Sequence, residues 1–153
     1  MALAGLWLGA LGVFSAAGAL LDGYRRRLPN LLCGAMLLVG LALAFATGGL
    51  ATFGLHLAHA VLALVIGYLL FMAGIFGGGD GKFYAATASF FPLWKMIGLI
   101  IAITAAGFLL AVFWFSAKRI WRSLRDLKGD FAKLPYGVAI AAGAVGYALL
   151  VTP

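Results

Sequence analysis

The chain has 153 residues, 65% of them apolar and only 10% charged, with a mean hydropathy of +1.13. A soluble domain of this length has no core large enough for so much hydrocarbon, so the composition excludes a soluble enzyme and implies an integral membrane protein. The net charge of +7 would suit nucleic acid, but the basic residues gather in short loops between apolar runs, where topology signals and anionic-lipid contacts are found, so no nucleic-acid partner is expected.

Apolar runs of about 17 to 25 residues mark spanning helices. In chain order they fall at Leu3 to Leu21, Leu31 to Thr47, Leu50 to Phe76, Phe83 to Phe91, Leu93 to Ala117 and Tyr136 to Val151. The fold class expected is an all-α polytopic membrane protein of about six transmembrane helices, forming a single membrane-embedded domain over residues 1–153. Met1 to Leu21 lacks a basic leading region and reads as a retained helix, not a cleaved signal. The run Phe83 to Phe91 is too short to cross alone; it either begins earlier, at Asp80, or is a half-crossing segment closed by Pro92.

Basic loops favour the cytoplasmic side, so Arg25, Arg26 and Arg27 after the first span put the N-terminus outside. With six crossings, ten of the eleven basic residues then lie inside, Lys95 being the exception. With five, the loop from Lys118 to Lys133 would change sides. That loop spaces Ile120, Trp121, Leu124, Leu127 and Phe131 as a helix does, with Arg122, Arg125 and Lys128 between them, so a short cytoplasmic interfacial amphipathic helix is expected there.

Only four residues are acidic. Asp22 closes the first span and opens the turn Asp22-Gly23-Tyr24-Arg25-Arg26-Arg27-Leu28-Pro29-Asn30, in which Pro29 restrains the entry to the second helix and Asn30 can cap it. Asp80 lies in Gly77-Gly78-Gly79-Asp80-Gly81-Lys82, where the glycines remove bulk around one acid and let an extended peptide approach it. Each segment also has a plainer reading: an interfacial carboxylate neutralised by arginines, a flexible interhelical turn, and, for Lys82, a cationic anchor. Together, on one face of the membrane, the acids suggest a two-carboxylate site, since an ionisable group at the edge of an apolar run must be paired, hydrated or functional.

The other polar residues read as structural. Cys33, the lone cysteine, sits in an apolar run and excludes an internal disulfide or a multi-cysteine zinc site. His56 and His59 lie at the far end of the third span, about 30 Å from Asp80 along a helix, and cannot join its site. Asp126 and Asp130 lie among basic residues, where ion pairing is the expected fate. No metal site and no cofactor are expected.

The two acidic segments resemble the type IV prepilin peptidases, membrane aspartic proteases of the GxGD class. Gly77 to Lys82 fits that family's Gly-x-Gly-Asp-x-Lys element, and Asp22 with Pro29-Asn30 fits its aspartate followed by Pro-Asn. Leu134-Pro135-Tyr136-Gly137-Val138-Ala139-Ile140-Ala141 resembles its closing Pro-Tyr-x-x-Ala segment, and the compactness resembles the CpaA/TadV branch that serves Flp-type (tight adherence) pili.

The resemblance implies an endopeptidase of a bacterial or archaeal inner membrane, cutting prepilin leaders at the cytoplasmic face just before the hydrophobic pilin helix. Asp22 and Asp80 would be the catalytic pair, and Gly77, Gly78, Gly79, Gly81 and Lys82 would line the substrate. Larger members also N-methylate the new terminus and carry a zinc-binding insert, which this chain lacks. Two close carboxylates cannot both ionise cheaply, so one keeps a proton while the other activates water. The rival reading is a non-enzymatic pilus-assembly factor or a small proton- or cation-coupled transporter. The oligomeric state is not legible from the sequence.

Overall fold

The computed structural model describes residues 2–120 and 134–151. They form five helices, α1 (Ala2–Arg25), α2 (Asn30–Met72), α3 (Gly78–Ala88), α4 (Met96–Ile120) and α5 (Tyr136–Val151), with a 3-10 turn at Leu93–Lys95 ahead of α4. Among the described residues there is no strand. The expected amphipathic helix, with Trp121, Asp126 and Asp130, lies outside the described residues beyond Ile120.

Among the described residues, three segments are long and apolar enough to cross a membrane: Leu3–Arg25, Asn30–Met72 and Leu93–Ile120; Tyr136–Val151 is a shorter apolar helix. Large side chains such as Val13, Leu38, Leu69 and Phe108 stand exposed on their outer faces. Hydrocarbon outside as well as inside is the surface of a helical membrane protein.

α2 is 43 residues long, about 65 Å if straight and about twice the apolar thickness of a bilayer. It is broken at Gly48 and Gly49, where Gly49 takes φ 63°, ψ −154°, a conformation essentially restricted to glycine. The two arms, 30–47 and 50–72, run back to back along α3. Asn30 reaches Lys82 and Gly40 meets Ser89 and Phe90, whereas His56 meets Ser89 and Gly67 meets Gly81. The second and third expected spans are thus the arms of one helical hairpin.

α3 begins earlier than the run from Phe83 suggested, at Gly78, and ends at Ala88, about 16 Å in all. It is the centre of the molecule, with Phe83, Thr87 and Ala88 fully buried. α1 crosses it through Gly18, which lies against the Phe83 ring, and through Trp7, whose Nε1–H donates to the Phe90 carbonyl at 2.8 Å. α4 and α5 close the other side, Gly143 packing on the Ile103 backbone and Gly98 on the Tyr147 ring.

The histidines hold the far end of α3. His56 Nδ1 lies 2.8 Å from the Ser89 carbonyl and His59 Nδ1 lies 2.9 Å from that of Phe91. A carbonyl only accepts, so each Nδ1 carries the proton. Helix ends leave carbonyls without intrahelical partners, and these two rings satisfy them in an apolar interior.

Proline places the helix starts. Pro29 (φ −64°, ψ 140°) precedes α2 and Pro92 (φ −67°, ψ 157°) precedes the 3-10 turn, both in the extended conformation that proline favours. Asn30 does not cap α2 as expected. It is the first helical residue, and its Oδ1 accepts instead from Lys82 Nζ at 3.1 Å. α2 stops through a Schellman turn: Gly74 (φ 72°) donates to the Phe71 carbonyl and Ile75 to that of Leu70, both at 2.9 Å. The chain is thereby turned into Gly77 and the start of α3.

Candidate functional site

The turn after α1, the turn before α3 and the start of α5 meet at one end of the bundle. They enclose a cleft of about 790 Å³ whose walls include Asp22, Arg25, Arg26, Arg27, Gly77, Gly78, Gly79, Asp80 and Lys82. The two acids expected to converge therefore line one cavity, although 58 positions separate them in the chain.

Asp22 is held in the last turn of α1 and is only 7% exposed. Its Oδ2 accepts the Gly137 backbone N–H at 2.8 Å. That N–H belongs to the first turn of α5, where backbone donors have no intrahelical partner and attract negative charge. A Cβ at position 137 would lie 2.9 Å from both Asp22 Cβ and Oδ2, so only glycine allows this approach.

Asp80 sits in the first turn of α3, where its backbone N–H donates to the Gly77 carbonyl at 3.1 Å. Burial pushes its carboxyl up to about 6, the Asp22 charge pushes in the same direction, and hydrogen bonding from the Gly77 backbone partly offsets both. An apolar surround penalises the charged form, and a neighbouring carboxylate adds like-charge repulsion. Tyr136, at the start of α5, lies within reach of the Asp80 charge and packs on Phe76 with ring centroids 5.1 Å apart.

The glycines differ in position. Gly77 is extended (φ −71°, ψ 142°) at the head of α3 and exposed to the cleft, with Gly78 and Gly79 beside it. Gly81 is not in the cleft wall; it is buried, and its backbone packs on that of Gly67 in the second arm of α2. Lys82 is exposed at the rim.

Two features of the site carry no clear mark in the sequence. Gly137 supplies the donor to Asp22; its only signal is a glycine following Pro135-Tyr136 at the head of an apolar run. The arginines, legible as topology signals, also form a cationic wall of the cleft, with the Arg26 guanidinium 5.3 Å from the centre of the Trp114 ring and the Lys118 ammonium 5.4 Å from it. His56 and His59 are at the other end of α3, away from the carboxylates. Among the described residues no three His, Cys, Asp or Glu side chains come together as a metal-binding group.

Two acids in one cleft, one partly stripped of water and one held by a backbone donor, have unequal hold on a proton, which is what an acid and a base need. Comparison with known proteins agrees with the resemblance carried by the motifs: the pattern of the type IV leader peptidase family matches residues 9–115, which include both Asp22 and the glycine-flanked Asp80. No curated protein and no solved structure matches the chain. The match covers well over half of the sequence, and the chain belongs to the type IV leader peptidase family.

Proposed function

We propose that this chain is an intramembrane aspartic endopeptidase that removes the leader of prepilin-like, Flp-type substrates, with Asp22 and Asp80 as its catalytic pair. The observation that carries the reading is the shared cleft, in which the charge of Asp22 acts on the carboxyl of Asp80.

In this mechanism Asp80 holds the proton and Asp22, oriented by the Gly137 N–H, is the ionised partner. Asp22 takes a proton from water as its oxygen attacks the scissile carbonyl carbon, while Asp80 gives its proton to the carbonyl oxygen. The tetrahedral diol collapses as Asp22 gives its proton to the leaving amine nitrogen and a diol hydroxyl returns its proton to Asp80, which yields the new carboxyl terminus and restores the resting charge state. The extended backbone at Gly77, without side chains at 77–79, gives room for a peptide strand beside the carboxylates. Gly81 then serves by letting α3 sit close to α2, and Lys82 stands where it can meet substrate at the rim.

The same reading sets the molecule in a bacterial or archaeal inner membrane as one peptidase domain over 1–153, crossing six times with the N-terminus outside and the cleft at the cytoplasmic face. The arginine wall and the basic 118–133 segment are the loops that would be retained inside, against anionic lipid.

Co-expression with a Flp-type prepilin, followed by a mass measurement of the pilin N-terminus, tests the proposal. Cleavage is expected with the unaltered chain and is lost in both Asp22→Asn and Asp80→Asn while each variant remains folded in the membrane. Normal processing by both variants would sink it. An uncut pilin that nevertheless needs the two acids for assembly would return them to a proton- or cation-binding role.

A further inference from the structure

The carboxylate cleft does not end at its own walls. A second cavity of about 370 Å³ runs between the two arms of α2 and along α3, and it shares Asn30 and Lys82 with the cleft. Beyond those two residues its walls are apolar: Gly34 and Leu37 on the first arm, Val61 and Leu64 on the second, Ala86 on the floor. The two shared residues are joined by an exposed hydrogen bond, Lys82 Nζ donating to Asn30 Oδ1 at 3.1 Å. Small residues in such a wall let another backbone come close, which is how helices associate inside a bilayer.

We propose that this groove receives the apolar helix on the C-terminal side of the substrate's cleavage point. The helix lies between the arms of α2 and against α3, which brings the peptide bond ahead of it to Asp22 and Asp80. The inference rests on the peptidase reading. The shared residues are what select a polypeptide as occupant: a chain running along the groove comes, at Lys82 and Asn30, to the rim of the cleft that the carboxylates line. The groove would thus choose substrates by their apolar helix as well as by their leader.

Gly34 provides a direct test, because it lines the groove and a Cβ built there meets nothing within 4 Å, so a side chain at this position starts into open space. The probe is the N-terminal segment of a Flp-type prepilin, leader plus apolar helix, with the enzyme in a bilayer disc. Gly34→Leu is expected to raise KM about tenfold while kcat stays within about twofold, the signature of lost substrate binding ahead of the chemistry. An unchanged KM overturns the proposal. If Gly34→Leu sheds a co-purified phospholipid while KM holds, the groove belongs to an acyl chain and the proposal is equally overturned.

Trapping decides the matter without filling the groove. In a Cys33→Ala background, Val61→Cys should form disulfides with single cysteines walked along the substrate helix at every third or fourth position. Phe108→Cys, on the outer face of α4 and 68% exposed, should not. Equal trapping at both sites overturns the assignment. Failure of the underlying reading is distinct: a substrate left uncut by the unaltered chain refutes the peptidase and this inference with it.

Discussion

Gly137 has no side chain, and that lets the head of α5 rest on Asp22. Alanine there would put a methyl carbon 2.9 Å from the carboxylate oxygen, so the acid must turn away from its backbone donor. If Asp22 is one of the catalytic pair, Gly137→Ala is expected to lower kcat about 100-fold, the usual cost of a misplaced reacting group, while α5 stays helical because alanine favours a helix. Kinetics and far-ultraviolet circular dichroism of the purified variant check both halves. Asp80 sits at about 6 instead of the ordinary 3.8, so it keeps its proton as pH rises through the range where a free carboxyl loses it, and sheds it near 6. The alkaline limb of kcat/KM, which reports the free enzyme, should therefore fall near pH 6. The same shift has a sign for stability: between 3.8 and about 6 the native chain binds a proton that the unfolded chain has released, so stability falls as pH rises through that window. An alkaline limb unmoved by Asp80→Glu would deny that this carboxyl governs it.

Helices here are interrupted where the chain must change direction, and each interruption positions part of the cleft. The break at Gly48 and Gly49 turns one long helix into two arms, and those arms hold α3 between them. Gly49→Val forces a branched residue into φ 63° and is expected to cost about 1–3 kcal/mol, measurable as an earlier unfolding transition in detergent. Part of this was legible from residues: the gap between the expected spans Leu31 to Thr47 and Leu50 to Phe76 falls at the Gly48-Gly49 break, and Pro29 marks the entry to the second helix, whereas Pro92, expected to close the short segment, also leads into the 3-10 turn ahead of α4. The reach of α3 was not. Its start at Gly78 lies inside a glycine cluster that reads as a turn, and the helix forms because buried packing on both arms of α2 outweighs the low helical preference of glycine. Asn30 departs from expectation for a related reason, since local capping competes with a distant Lys82 that the sequence does not place beside it.

At the scale of the whole molecule, α4 returns to the Asp22 end of the bundle, where Trp114 meets Arg26, while Trp7, Phe91 and Tyr147 cluster at the other. If the basic loops face the cytoplasm, Lys95→Cys in a Cys33→Ala background should react with an impermeant maleimide in intact cells, and Arg27→Cys only after the membrane is opened. The reverse pattern would invert the proposed topology. The sequence by itself determined the membrane class, the helical content, the two acids and the family to which they point, because hydropathy and a short motif are local properties of the chain. Only the tertiary structure decided that Asp22 and Asp80 line one cleft, that Gly137 donates to the first of them, and that an apolar groove opens from it. Those relations join residues from opposite ends of the sequence, and they arise from which helix faces can pack together, a quantity that no local pattern encodes.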